Sequence, residues 1–275
     1  MIKYSTFFAF CLCFSLSFSQ GWQAVGARSL SLSNATVCLS DVWAFHKNPG
    51  ALAQLKNTSA GLSYENRFLL KELQTQGFVV AHPLKKGVIS LGGQLYGQSL
   101  YRTNRIGLGY SMQLSEKISA GVQLNYQSVR ITNYGQKGTV SAEAGVFAKV
   151  TDKVNFGFSI FNINRAKLAD FQDDRFSTIM SVGMSYEISS KVQVFAEAEK
   201  EIESKIRPKG AMEYKVSDKF FMRIGFGVNP LELTFGSGIA LKNGLKIDFG
   251  SAWHQVLGFS PHAGLTFDLK SKTNE

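Results

Sequence analysis

Residues 231–242 read LELTFGSGIALK, and two faces separate in that run. Leu231, Leu233, Phe235, Ile239 and Leu241 fall on one side; Glu232, Thr234, Gly236, Gly238, Ala240 and Lys242 fall on the other. A period of two describes a strand whose faces meet different surroundings. Residues 245–253 repeat it, with Leu245, Ile247, Phe249 and Trp253 against Lys246, Asp248, Gly250 and Ala252. Residues 118–126 repeat it again, with Ile118, Ala120, Val122, Leu124 and Tyr126 against Ser119, Gly121, Gln123 and Asn125. Outward from these, such runs fall at about 58–65, 74–83, 87–98, 102–114, 117–131, 138–150, 153–163, 176–188, 191–201, 205–216, 219–228, 231–242, 245–254 and 260–270. That is about 14 strands, most of them long enough to cross a bilayer at a tilt.

The connections carry independent information. Short polar turns (Lys85-Lys86-Gly87, Ser115-Glu116-Lys117, Thr151-Asp152-Lys153, Ser189-Ser190-Lys191, Ser217-Asp218-Lys219 and Asn243-Gly244) follow the even-numbered runs. Looser connections, such as 65–74 and 164–176, follow odd-numbered ones. This asymmetry predicts an up-and-down barrel with its short turns and both termini on the periplasmic side.

Periodicity alone does not distinguish a membrane barrel from a soluble sandwich or a secreted adhesin. Three features favour the barrel: an export signal, an even-numbered meander that closes without edges, and a polar face of Gly, Ser, Gln and Glu rather than dense Lys and Glu. Composition fits. The 275 residues include 26 Gly, 22 Phe and only 5 Pro, and 18% are charged. Mean hydropathy is −0.03, the average of two unlike faces. Repeated apolar helical spans, disorder and a disulfide scaffold are all excluded on these grounds. The net charge of +10 raises nucleic acid as a partner. The Lys and Arg residues are spread among turns and polar faces, so outer-membrane lipid is the expected partner and nucleic acid is not.

Residues 1–19 (MIKYSTFFAFCLCFSLSFS) predict a cleaved secretory signal, with Ser17 and Ser19 at the cleavage site and Gln20 as the first mature residue. Cys11 and Cys13 lie inside it, which leaves Cys38 as the one mature cysteine. Residues 20–56 stand apart from the meander, and residues 57–275 form the expected barrel. Ser40 or Asp41 is placed to cap a short helix over 42–46, and Asn48-Pro49-Gly50 to start another turn. A segment this apolar suits a plug inside the lumen, with a strap on the periplasmic rim as the alternative.

Arg105, Glu143, Lys149, Glu187, Glu197, Glu199, Arg207, Lys209, Glu213, Arg223, Lys246, Asp248 and Asp268 are expected to face the lumen. They would form either a charged constriction or ladders of paired charges that fill it. Tyr64, Tyr96, Tyr101, Tyr110, Tyr126, Tyr186, Tyr214 and Trp253 are candidates for interfacial girdles, and Pro208 predicts a bulge or a locally broken ladder. His46, His82, His254 and His262 show no metal-ligand spacing, and no nucleophile–base constellation, phosphate loop or dinucleotide fingerprint is present. No cofactor, metal or catalytic residue is therefore expected.

Gly26-Ala27-Arg28, the small-residue stretch after it, Asp41-Val42-Trp43-Ala44 and Asn48-Pro49-Gly50-Ala51-Leu52-Ala53 resemble the N-terminal signature of the PorV/PorQ proteins of Bacteroidota. The Asn-Pro segment is similar to Asn-Pro-Ala in the wider FadL-like barrels, with Gly50 where Ala is usual. The likeness covers about residues 24–55 in detail. It implies an outer-membrane barrel. In the first branch it implies an accessory subunit of a larger complex, such as type IX secretion, with other outer-membrane or periplasmic proteins as partners. In the second it implies a transporter of hydrophobic small molecules with a plugged lumen. The compact loops favour the accessory subunit.

Overall fold

The computed structural model describes residues 25–168, 175–202 and 204–269; the expected signal and its cleavage site lie outside the described residues. The strands are β1 (Thr58–Asn66), β2 (Gln74–Leu84), β3 (Gly87–Gly97), β4 (Tyr101–Gln113), β5 (Ile118–Ile131), β6 (Gly135–Lys149), β7 (Val154–Phe161), β8 (Ile179–Ser189), β9 (Val192–Glu201), β10 (Arg207–Lys215), β11 (Phe220–Gly227), β12 (Glu232–Ala240), β13 (Leu245–His254) and β14 (Gly258–Leu269). Each pairs antiparallel with its sequence neighbours. The ring closes between β1 and β14, from Thr58↔Leu269 to Glu65↔His262. Closure satisfies the backbone of every stave without presenting an open edge to lipid.

The alternation read from the sequence is the alternation of the wall. Leu62 and Leu124 stand outward at 60% and 62% exposure, while Ser63, Gln123 and Asn125 are buried. In water such an outer surface would be one large apolar patch. A bilayer is the solvent that matches it, so the chain is a membrane-spanning β-barrel. No helix among the described residues is long and apolar enough to cross a membrane.

The structure corrects several expectations. Pro208 causes no bulge: it pairs in register with Ala198. Its carbonyl accepts from Val228 N at 3.0 Å, so its proton-less nitrogen also faces β11, at the last rung of that ladder where little is lost. The register shift falls instead between Glu187 and Ser189. The loop asymmetry is weaker than expected. Connections 98–100, 132–134 and 255–257 are as short as the turns at the other end, and 67–73 and 162–178 carry the difference. Tyr96 and Tyr101 leave the outer girdle; Tyr96 shares the inward face of β3 with Gln94, Tyr101 that of β4 with Thr103 and Arg105, and the two rings pack edge-on with centroids 6.3 Å apart. β6 starts earlier than its alternation suggests and pairs with β7 only from Ala144. Above that point the Asn164 side chain replaces the missing strand, accepting from Ala142 N at 3.0 Å and donating to Val140 O at 2.9 Å.

Candidate functional site: the plugged lumen

The segment ahead of β1 lies inside the barrel as a plug. It contains α1 (Ala27–Ser31) and two 3-10 turns, Val42–His46 and Pro49–Gln54. Asp41 caps the first turn by accepting from Trp43 N at 2.9 Å. Asn48 caps the second by accepting from Gly50 N at 3.0 Å, with Pro49 at its first position. These are the caps that the sequence suggests, with Asp41 rather than Ser40 in the first.

The chain winds once around the inner wall. Val25 meets β2 at Gly77, Ala27 meets β14 at Gly264, Ser31 meets β12 at Gly236, Leu32 meets β11 at Gly225, and Val37 meets β8 and β7 at Gly183 and Gly157. It then crosses the lumen and fills the centre with Trp43 and Phe45. A Cβ at Gly61 would come within 2.6 Å of the Trp43 ring, and one at Gly92 within 2.6 Å of Phe45. The inward glycines are the imprint of the plug. A wall with side chains there would be too narrow to hold it. Gly26, at φ 102°, adopts the left-handed turn and leaves room for Trp43.

Wall hydroxyls satisfy the plug's irregular backbone. Ser111 donates to Pro49 O at 2.5 Å, Ser119 to Gly50 O at 2.9 Å and Thr234 to Ser31 O at 3.0 Å. Ser63 accepts from Gly26 N at 3.2 Å. Asn48 is fully buried, and its amide donates to Val37 O at 2.7 Å and Val146 O at 3.0 Å. One side chain thus ties two parts of the plug to each other and to β6.

Residues 25–55 carry three ionised groups, Arg28, Asp41 and Lys47. Each has a partner. Arg28 bridges Asp41 at 3.0 Å and Glu213 of β10 at 2.6 Å. Glu213 also binds Arg223 at 2.5 Å, and Arg223 reaches Asp248 at 2.6 Å. Lys47 lies 2.7 Å from both Glu197 and Glu199 on β9, and Glu199 also holds Lys209 at 2.7 Å. Burial opposes the charge on Lys47 and on Arg28. The carboxylates facing them win, and both cations are held above their ordinary pKa. His46 is held well below its own by burial and by Arg105. Burial also pushes the Cys38 thiol up to about 12, with Glu197 adding to it, so Cys38 is an inert, packed thiol.

The charges read as lumen-facing divide into two groups. Arg105 pairs with Glu143 at 3.1 Å, and Glu197, Arg223 and Asp248 join the networks around the plug. Arg207 pairs with Glu232 at 2.6 Å, and Lys246 with Asp268 at 2.9 Å, nearer the barrel ends. Lys149 and Glu187 are exposed near the short turns. The family-motif residues Gly26, Ala27, Arg28, Trp43, Asn48, Pro49 and Gly50 come together in the plug. Lys47 and His46 were not among the expected site residues. The signal for Lys47 was present: a lone lysine in an apolar stretch needs a buried acid.

On the outside of the same wall, β14, β1, β2 and β3 form a groove of about 430 Å³, lined chiefly by Leu62, Tyr64, Phe78, Leu95 and Leu265. Gly77 and Gly264 also line it, and these are the glycines that touch Val25 and Ala27 on the inside. Only the wall's backbone separates the groove from the start of the described plug.

The fold is similar to those of two toluene transporters and a FadL homologue. The toluene transporter TbuX of Ralstonia pickettii matches with a TM-score of 0.65 at 12% identity, over 84% of this chain and 94% of that one. A FadL homologue of Pseudomonas aeruginosa matches with a TM-score of 0.68 at 11% identity, over 89% and 98%. The toluene transporter TodX of Pseudomonas putida matches with a TM-score of 0.63 at 10% identity, over 90% and 99%. No protein-family model and no curated protein matches the sequence.

Proposed function

We propose that the chain is a non-enzymatic outer-membrane barrel that passes small hydrophobic molecules, with its own N-terminal segment as the gate. The observation that carries this is the plug itself. It packs Trp43 and Phe45 across the lumen, and its first described residues lie behind a glycine-backed stretch of wall that faces an apolar groove. An open aqueous pore has no use for such a closure. A hydrophobic solute that leaves or enters through lipid needs a thin, apolar piece of wall and a plug that shifts away from it. The likeness to toluene transporters and a FadL homologue supports the same reading. The accessory-subunit role implied by the PorV/PorQ-like motif stands second. It keeps the support of the N-terminal residues, and the structural likeness adds nothing to it.

A disulfide across the gate tests the proposal. A Cβ on Gly77 would stand 3.4 Å from the Val25 Cβ, close to the separation a disulfide needs. The Val25→Cys/Gly77→Cys barrel in lipid vesicles should take up labelled toluene at least about tenfold more slowly when oxidised, a barrier raised by about 1.4 kcal/mol. Reduction should restore the rate. Equal rates in both redox states, or no uptake above protein-free vesicles by the wild type, would overturn it.

A further inference from the structure

Arg102 of β4 and Arg130 of β5 are direct partners in the strand register. Both are exposed, and both follow the outward parity of their strands, which puts two guanidinium groups side by side on the lipid-facing wall. Like charges placed opposite one another destabilise a strand pair. Among the described residues no carboxylate pairs with either guanidinium. Residues 73–142 contain one carboxylate, Glu116, and it lies in a turn at the far end of the barrel.

The surroundings are graded. One step down the wall, Asn104 donates to Ser128 at 3.5 Å, and its side-chain oxygen is buried without a partner. Gln136 of β6 stands beside Arg130. A further step down, the outward face turns apolar with Ile106, Tyr126 and Val140, each at least 50% exposed. A polar, doubly cationic step directly above an apolar belt is the profile of a membrane interface. It lies at the end that carries connections 67–73 and 162–178, the outer-leaflet side of the proposed outer-membrane barrel.

We infer that Arg102 and Arg130 form a binding site for a phosphorylated lipid headgroup of the outer leaflet, with the acyl chains lying against Ile106, Tyr126 and Val140. The phosphate neutralises the paired guanidiniums, whose planar forks suit its oxygens. The inference rests on the outer-membrane part of the proposed function and is independent of transport, so an uptake defect and a lipid-binding defect can be told apart.

Native mass spectrometry of the detergent-solubilised full barrel tests it, with a bisphosphorylated diglucosamine lipid, its dephosphorylated form and inorganic phosphate as probes. The Arg102→Gln/Arg130→Gln barrel should bind the bisphosphorylated lipid at least about tenfold more weakly than the wild type. A Lys71→Gln/Lys205→Gln control, which removes two exposed cations elsewhere on the same end, should stay within about twofold. On the unaltered wild type, raising sodium chloride from 50 to 500 mM should lower occupancy several-fold, as an exposed charge contact requires. Equal loss in the control, salt-independent binding, or equal affinity for the dephosphorylated lipid would overturn the site. Inorganic phosphate bound as tightly as the lipid would overturn the lipid assignment.

Discussion

Asn48 and His46 both bear on how firmly the plug is seated. Asn48 uses both amide hydrogens and its oxygen within one buried spot, so Asn48→Ala strands two carbonyls and removes a cap. The expected cost is about 2–4 kcal/mol. It should appear as earlier protease cleavage between residues 25 and 56, with the heat-resistant barrel unchanged. His46 supplies the pH dependence. Arg105 on β4 only donates, so the His46 Nδ1 at 2.8 Å accepts and the ring proton sits on Nε2, facing Phe78 O of β2 at 3.3 Å. Glu143 of β6 and Asn125 of β5 complete the charged and polar surround. Protonating Nδ1 would set a second cation against the guanidinium. With the seated pKa held below the free value, the seated plug is fully favoured above about pH 6.5 and weakens as the pH falls below it. Protease access to the plug should rise on acidification. In His46→Gln, which keeps an acceptor and a donor but cannot ionise, that rise should be smaller, and what remains belongs to His262 of β14, the other imidazole on the plug, at 2.9 Å from Ser31 Oγ.

Among elements, the strands were legible and the plug's path was not. Each stave reports its two environments every second residue, so sequences such as 231–242 and 118–126 locate strands locally. The plug has no period. Its helical turns are announced by Asp41 and Asn48-Pro49, but its circuit is set by partners far away in sequence. Lys47 reaches Glu197 and Arg28 reaches Glu213, and nothing near either residue names its mate. The inward glycines were readable as a narrow face but not as an imprint. Pro208 misled for a local reason: a strand proline is harmful only where its missing hydrogen has a rung to fill. The plug–β9 contact gives a test at this scale. Lys47→Met leaves Glu197 and Glu199 sharing Lys209 alone, and unpairing a buried charge costs about 3–5 kcal/mol. The plug should loosen by that measure in protease titrations. Adding Glu197→Gln should restore much of it, because the amide oxygen still accepts from Val37 N, the contact Glu197 makes at 2.9 Å.

At the scale of the molecule, wall and plug are separable. The ladder from β1 round to β14 is complete without any residue ahead of Thr58, and the outer apolar face owes nothing to the plug. A chain lacking residues 25–56 should therefore still assemble as a heat-modifiable barrel. Its lumen should differ. The plug brings Arg28 and Lys47, which neutralise carboxylates on β9 and β10. Without them the mid-lumen keeps Glu197, Glu199, Glu213 and Asp248 against Lys209 and Arg223, four negative groups against two positive. Water would fill the space and hydrate these groups, and a ring with excess carboxylate favours cations. In planar bilayers at neutral pH the plugless barrel should open steady channels with a cation-selective reversal potential, while the intact barrel stays closed. A plugless barrel that folds yet fails to conduct would place the closure elsewhere in the lumen and remove the N-terminal segment as the gate.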